Sequence, residues 1–574
     1  MVMKFGNHGF AGFCGVQNRG KKHGCSASAA SWMFAFTFVI AFAGSAVARP
    51  AEVQDAYREY ENSEYEEGVD DTEGETETYE GDEESVGRDV SDAEKERVDE
   101  PAKEVSETEV GADEHQAGEV ARVDDEPEKI PPEPDDDDAE PKKKKDTGFS
   151  FGSYGRVSGA GDGHGASAKP INIVSHGTRL EESTYLELDL YYKMRPMKGV
   201  VVRTVTTLGF KDDLFHYSGD WTSAMAIRNL YLEATGLFHE GLTMWAGSRL
   251  YRGDDIYLLD YWPLDNLNTI GGGLRFRHLG IIADLHGGVN RLRDSFQHQV
   301  VPVPGLNNTS EDVTLLDRQR FIGSMKAGYS FGGRNGNLGL KVLGYGEIHR
   351  MGSGTYNAHL DDERRIDLPS DQGWLIGAQL GAWGFGQRAT HANLFVRYAE
   401  GLAAYGEMAV PWGFSNDRTT SGAKEFLLAL SGNYEWRMLG VMFGGYLRYF
   451  KKAGVNEIDW DNGWEYILTA RPHVSLHRNF AQAFEVSYQG KRPFGPEPRT
   501  ETIQRPGITK LSVIPVVKFG KGTYDRPQFR FVYTMALVNE GARLIYNPED
   551  PRFDRRVQHY IGLQAEWWFN STYR

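Results

Sequence analysis

Short segments in which apolar and polar side chains alternate dominate the chain from about residue 148 onward. In 185–192, Glu187 and Asp189 fall on one face, while three leucines fall on the other. A period of two residues predicts β-strands with two differently solvated faces. The same alternation is seen in 339–347, 443–450 and 484–490, and we also interpret 228–233, 245–249 and 255–262 as strands.

The pattern favours a transmembrane β-barrel over a soluble β-sandwich, because tyrosine and tryptophan gather at strand ends as they do in interfacial girdles. After the first 50 residues no apolar run approaches the ~18 residues of a membrane helix. Residues 151–574 divide into about 18 antiparallel strands at roughly 23 residues per strand and connection. Asn335-Gly336 predicts a tight hairpin, and 297–317, 351–373 and 547–556 predict long external loops.

The first 48 residues are typical of an export signal. Four basic side chains precede an apolar run from about Ala29 to Ala43, and Ala46-Val-Ala48 offers small residues for cleavage. The alternative is a retained N-terminal membrane anchor. Both cysteines, Cys14 and Cys25, lie in this leader, so we expect a mature chain without thiols.

Residues 49–147 differ from the rest in charge. Residues 51–150 hold about 39 acidic and 11 basic side chains, whereas the whole chain carries a net charge of −19. Such a segment has too little apolar surface to offset its ordering entropy, so we predict a disordered acidic segment. We interpret it as a solvated tether in the periplasm. The alternative is a contact with the cell wall or a periplasmic binding protein.

The barrel region, 148–574, shows no signature of catalysis. It contains no Gly-x-Ser-x-Gly nucleophile motif, and its histidines lack the spacing of metal ligands. The one basic cluster, 142–145, follows an acidic run, which disfavours nucleic-acid binding. We therefore expect that the protein is not an enzyme and that it binds neither a cofactor nor a metal ion.

Several motifs together resemble the maltoporin family. They are Ser153-Tyr154-Gly-Arg156 near the start of the barrel, the spacing of Asp255 and Asp260, and 565–569 at its end. The resemblance implies a homotrimeric barrel in the Gram-negative outer membrane, in contact with its lipid. It also implies facilitated diffusion of maltose and maltodextrins.

The resemblance further implies two sets of sugar-binding residues. Sugars present apolar ring faces and a rim of hydroxyls, which suit aromatic planes and charged side chains respectively. In such a trimer, Trp221 would insert into the channel of a neighbouring subunit. The predicted aromatic slide is Tyr154, Tyr185, Trp221, Trp262, Tyr524 and Trp568; the predicted polar track is Arg156, Arg179, Glu187, Arg228, Asp255 and Asp260.

The chain departs from the family at several positions. Gly253 replaces an expected arginine, with Arg252 beside it, and His391 replaces a mid-channel phenylalanine. Residues 570–574 extend beyond the terminal aromatic Phe569. The departures leave open a porin of the same build for another saccharide, such as sucrose. A general diffusion porin and an adhesion barrel are further alternatives, in which these aromatics would be girdle residues and the charges would be wall lining.

Overall fold

The computed structural model describes residues 147–572, apart from 212, 213, 222, 307, 308, 333–337, 360, 361, 388 and 455–457. The predicted leader (1–48), the acidic segment up to residue 146 and the Asn335-Gly336 turn lie outside the described residues. In the described part of the chain, no helix is both long and apolar enough to cross a membrane.

Eighteen strands form one closed antiparallel sheet, which confirms the predicted barrel and its strand number. Closure comes from β1, which pairs with β2 on one side and β22 on the other. In this register Tyr154 lies between Glu187 and Trp568. The barrel strands are β1 (Gly148–Gly161), β2 (Tyr185–Met197), β3 (Val200–Lys211), β4 (Ala224–Thr235), β5 (Leu242–Arg252), β6 (Asn266–His278), β7 (Ile281–Asn290), β10 (Arg320–Gly332), β11 (Gly339–Met351), β14 (Asp371–Trp383), β15 (His391–Gly401), β16 (Lys424–Trp436), β17 (Leu439–Lys451), β18 (Gly463–His477), β19 (Phe480–Pro493), β20 (Gly507–Lys518), β21 (Gln528–Val538) and β22 (Val557–Phe569).

Two further hairpins lie outside the barrel sheet. They are formed by β8 (His298–Pro304) with β9 (Ser310–Asp317), and by β12 (Gly354–His359) with β13 (Asp362–Leu368). The predicted loops 297–317 and 351–373 are therefore long connections with strands of their own. In the first hairpin, β8 contains three valines and β9 contains a valine and a threonine, and these β-branched residues favour extended backbone.

The two faces of the wall have the predicted polarity. Glu187 and Asp189 point inward and are 1% and 0% exposed. Large apolar side chains point outward, as a lipid-facing surface requires. Exposed examples on the outer face are Leu230, Leu232, Ile270, Leu274, Phe529 and Phe531.

The two ends of the barrel differ in their connections. At one end, pairs such as β6–β7, β16–β17 and β18–β19 are joined by two residues. At the other end the connections are long, and three of them fold into the lumen. They are the β1–β2 loop (162–184), the β5–β6 loop (253–265) and the β15–β16 loop (402–423), with 3-10 turns at Arg179–Glu181, Tyr257–Leu259 and Leu402–Tyr405.

The strand prediction for 255–262 is wrong. This segment belongs to the β5–β6 loop, with a 3-10 turn at Tyr257–Leu259 and Asp260 in the left-handed region at φ 49°. Its apolar side chains are buried on all sides inside the barrel, so a simple period of two does not describe them. Ile256 approaches Gly444 of β17 so closely that a Cβ there would stand 2.4 Å from its Cγ2 atom.

The main hydrophobic core lies inside the barrel. Ile173 and Val174 of the β1–β2 loop, Ile256 and Leu259 of the β5–β6 loop, and wall residues such as Tyr446 form one cluster. These loops thus fill part of the lumen.

Ion pairs attach two of the inward loops to nearby strands of the barrel wall. Glu181 of the β1–β2 loop lies 2.6 Å from Lys510 of β20, and both side chains are almost fully buried. Asp254 and Asp265, at the two ends of the β5–β6 loop, pair with Lys341 of β11 and Lys326 of β10. Each pair fixes a loop that would otherwise be free to swing outward.

We predict that Lys510→Met destabilises the barrel by about 3–5 kcal/mol, since it leaves the buried Glu181 carboxylate without its cation. Urea unfolding in lipid vesicles measures this change. The double variant Lys510→Met/Glu181→Gln is the matched control and should regain most of the loss, because no buried charge remains unpaired. Equal destabilisation of the single and double variants would contradict the assignment.

Candidate functional site

One buried carboxylate, Glu566 near the end of β22, gathers side chains from several connections. Its Oε1 atom lies 3.1 Å from Nη2 of Arg179, and its Oε2 atom lies 2.8 Å from Nε of Arg526. Arg530 of β21 also pairs with it, and the Tyr257 hydroxyl donates to it at 2.9 Å. Glu566 therefore joins the β1–β2 loop, the β5–β6 loop and the β20–β21 connection at one point.

Tyr257 occupies the centre of an aromatic group. Its ring centroid lies 5.3 Å from that of Tyr524 and 6.1 Å from that of Trp568, in edge-to-face geometry. The Arg179 guanidinium lies 4.5 Å from the same ring, and Arg526 lies 4.1 Å from the ring of Trp568. Cations thus cover part of each aromatic surface while the ring edges contact one another.

A second group continues from the first along β1 and β2. The rings of Tyr154 and Tyr185 are 6.1 Å apart, and Arg156 lies 5.4 Å from the ring of Tyr185. The Tyr185 hydroxyl donates to Glu187, whose carboxylate pairs with Nε of Arg228 at 3.0 Å. The inward positions of β2 therefore hold an aromatic ring beside a paired carboxylate.

Asp260, in the β5–β6 loop, contacts two arginines: Arg156 of β1 and Arg179 of the β1–β2 loop. Its oxygens lie 3.7 Å from Arg156 and 3.5 Å from Arg179. Arg156 also lies 2.6 Å from Glu182 and donates to the Ser183 carbonyl at 2.9 Å. Alternating charges on this part of the lumen wall offer both donors and acceptors to a polyhydroxylated ligand.

Other predicted residues lie at the edges of this arrangement. Trp262 is buried under Arg252, whose guanidinium lies 3.8 Å from its ring, while Asp255 is partly exposed at the start of the inward loop. Trp221 is 84% exposed on the β3–β4 connection. His391 begins β15, and its ring lies 5.9 Å from that of Tyr524.

The structure therefore brings most of the predicted residues into one continuous set of contacts. Tyr154 is completely covered, whereas Tyr185, Tyr524 and Trp568 are partly exposed. Of the other three predicted residues, Trp221 lies on the β3–β4 connection, whereas Asp255 and Trp262 lie in the β5–β6 loop. The connected residues are Tyr154, Arg156, Arg179, Tyr185, Glu187, Arg228, Asp260, Tyr524 and Trp568.

Sequence reasoning missed four residues at the centre. Glu566 could have been found, because it lies two positions before Trp568 and so shares its face of the strand. Arg526 lies two residues beyond Tyr524, in a connection with no periodicity. Tyr257 gave no signal, because its position depends on how a loop folds across the lumen, whereas Arg530 is an inward residue of strand β21 that no motif singled out.

A cavity of 480 Å³ adjoins this arrangement, between the inward loops and the wall. Trp262 and Arg228 line one side, while Glu407 of the β15–β16 loop lines another. Burial of its carboxyl raises the pKa of Glu407 to about 7. Burial lowers the pKa of His176, on the β1–β2 loop at the same cavity, to about 4. At neutral pH His176 is thus uncharged, while Glu407 is near its midpoint.

A closed eighteen-stranded barrel with an apolar outer face and a charged, aromatic lumen defines a transmembrane channel protein. The profile of the LamB porin family matches residues 149–569, which is nearly the whole barrel. The chain belongs to the LamB porin family. It is an outer-membrane protein of the Gram-negative type.

Individual relatives are distant. A maltoporin of Vibrio cholerae serotype O1 is 24% identical over 363 residues, which cover 59% of this chain and 75% of the relative. Among solved structures, OpdQ of Pseudomonas aeruginosa is 12% identical, with 74% of this chain and 99% of the other covered and a TM-score of 0.37. OccAB2 of Acinetobacter baumannii is 10% identical, with 74% and 98% covered and a TM-score of 0.38.

We predict that ion selectivity changes near pH 7 because Glu407 ionises there. As pH rises the cavity gains a negative charge, so the preference for potassium over chloride should increase between pH 6 and pH 8. Reversal potentials in a KCl gradient measure this preference. Glu407→Gln should abolish the step, whereas Asp417→Asn, exposed on the same loop, should retain it.

The same carboxyl also affects stability. Its pKa rises from 4.5 to about 7 on folding, so the folded chain binds more protons than the unfolded chain between these values. Its contribution to the free energy of unfolding therefore falls as pH rises through this interval. A pH dependence of urea unfolding that is unchanged in Glu407→Gln would contradict the assignment.

Proposed function

We propose that the chain mediates facilitated diffusion of maltose and maltodextrins across the outer membrane. The observation that supports this proposal is a series of two groups of ring contacts, Tyr185 with Tyr154 and Tyr257 with Tyr524 and Trp568. Arg179 links the two parts, because its guanidinium contacts the rings of both Tyr154 and Tyr257.

The chemistry of an oligosaccharide matches such a run. Aromatic planes bind the apolar faces of the sugar rings, while the paired arginines and carboxylates exchange hydrogen bonds with the hydroxyls. Each contact is weak, and successive weak sites allow a substrate to enter and to leave. Because the charges are already paired, a departing sugar leaves none of them uncompensated.

The proposed slide comprises partly exposed and covered members. Tyr185, Tyr524 and Trp568 are half-buried, so part of each side chain remains exposed. Tyr154, which is fully buried, supports this path from behind and orders Arg179, which donates to its hydroxyl. The polar track then consists of the arginines and acids that flank these rings.

We also propose a homotrimer in which Trp221 enters the channel of a neighbouring subunit. Its high exposure supports a contact with a second copy, because large aromatic side chains at the surface of a folded protein are enriched at interfaces.

A porin of the same build for another saccharide, such as sucrose, is the second candidate. The observation that favours it is His391 beside Tyr524, since a polar imidazole replaces an apolar plane near one end of the path. A general diffusion porin would show no specific block by either sugar.

Single-channel recording in a planar bilayer, with maltohexaose and then sucrose, tests the proposal. We expect concentration-dependent block by maltohexaose in three steps, one for each subunit. Block by sucrose alone would replace maltodextrin by sucrose as the proposed substrate, and the protein would still be a saccharide-specific porin. Currents unaffected by both sugars would contradict a saccharide path.

We predict that Tyr185→Ala or Trp568→Ala raises the half-blocking concentration of maltohexaose roughly tenfold, since one aromatic contact contributes about 0.5–1.5 kcal/mol beyond its area. Trp374→Ala is the matched control, because Trp374 lies on the outer face of β14 and is exposed. An equal effect of all three substitutions would show that the loss is not specific to the lumen.

A further inference from the structure

The segment that follows β22 turns back into the lumen. Asn570 adopts a left-handed conformation at φ 46°, and its side chain donates to the Phe151 carbonyl at 3.0 Å. Its own carbonyl accepts from the Tyr191 hydroxyl at 2.7 Å. Gly152 permits this path, since a Cβ there would lie 1.9 Å from the Asn570 oxygen. The turn is therefore fixed by side chains on both sides and by a glycine beneath it.

Thr572 then binds in a polar recess on the inner wall of β2, β3 and β4. Its backbone N–H donates to one oxygen of Asp189 at 2.9 Å, and its hydroxyl donates to the other at 2.7 Å. The same hydroxyl accepts from the Asn229 amide at 3.3 Å and lies 3.2 Å from the Thr207 hydroxyl. Asn229 and Thr207 also bond to each other at 3.0 Å. Thr572 thus makes both donor and acceptor contacts.

Asp189 differs from its neighbour Glu187 in how its charge is stabilised. Glu187, two positions along the same face, pairs with Arg228 at 3.0 Å. Asp189 is fully buried, and Thr207 and Thr572 donate to it through uncharged hydroxyl and N–H groups, with the Tyr191 hydroxyl also beside it. A carboxylate that neutral hydroxyls satisfy can exchange one hydroxyl for another without breaking an ion pair.

A sugar hydroxyl has the same hydrogen-bonding capacity as the hydroxyl of Thr572: one donor and two acceptor lone pairs. The recess also continues the path described above, because Asp189 lies two residues, about 7 Å, beyond Glu187 on one face of β2. It lies toward the end of the barrel with short connections.

We propose that Asp189, Thr207 and Asn229 form a saccharide hydroxyl subsite, and that Thr572 occupies it and competes with the sugar. This inference rests on the proposed function, and it adds a site and a competing segment of the chain itself. The sugar can bind only while Thr572 is out of the subsite. The apparent affinity for the sugar is therefore reduced in proportion to the fraction of time that the subsite is free.

The experiment compares maltohexaose block in the full chain with block in Thr572→Ala and in a chain stopped after Asn570. Thr572→Ala removes the hydroxyl that fills the recess with the least disturbance to folding. We expect the half-blocking concentration to fall about 5–10-fold in both variants, since the subsite is then vacant more often. Thr572→Ser retains the hydroxyl, so its half-blocking concentration should match that of the full chain.

A second substitution locates the effect. Asp189→Asn, added to Thr572→Ala, should raise the half-blocking concentration again by a similar factor, because the principal acceptor of the subsite is lost. If maltohexaose blocks every chain equally, the inference is overturned while the proposed function stands. If maltohexaose blocks none of them, both fail. Block that tightens in Thr572→Ala but does not respond to Asp189→Asn would also overturn the subsite.

Discussion

The buried carboxylate of Glu566 is the point on which the interior of this barrel depends. Three arginines and the Tyr257 hydroxyl converge on it from two inward loops, a short connection and the wall. A buried carboxylate is tolerated only when cations and donors satisfy it, so each of these groups is held in place by the others. The aromatic contacts of Tyr257 with Tyr524 and Trp568 follow from that arrangement.

The lumen is divided between two kinds of packing. On one side, apolar residues of the inward loops form a core with the wall, where Gly444 admits the side chain of Ile256. On the other side, rings and ion pairs line β1, β2 and β22. The inward loops are thus bound by hydrophobic burial on one side and by buried ion pairs on the other.

Alternation along the strands predicted the inward face of Glu187 and Asp189 and, with the aromatic girdles, the barrel, while the length of the region predicted the strand number. The inward loops could not be predicted in this way. Segment 255–262 contains apolar residues that are buried from several directions, so neither a strand nor a helix period describes it. Glu566 could have been predicted as a site residue, since it shares a face of β22 with Trp568. The position of Tyr257 could not, because it depends on a loop that crosses the lumen.

The conductance of Glu566→Gln, in single-channel recordings with and without maltohexaose, tests the central claim most directly. Glu485→Gln is the matched control, because Glu485 is equally buried but its arginine partner, Arg471, belongs to strand β18 and not to an inward loop. Loss of the Glu566 charge should release Arg179 and Tyr257, increase the open-channel conductance and weaken the block, while the control retains both values. Unchanged conductance and block in Glu566→Gln would show that this carboxylate does not set the passage.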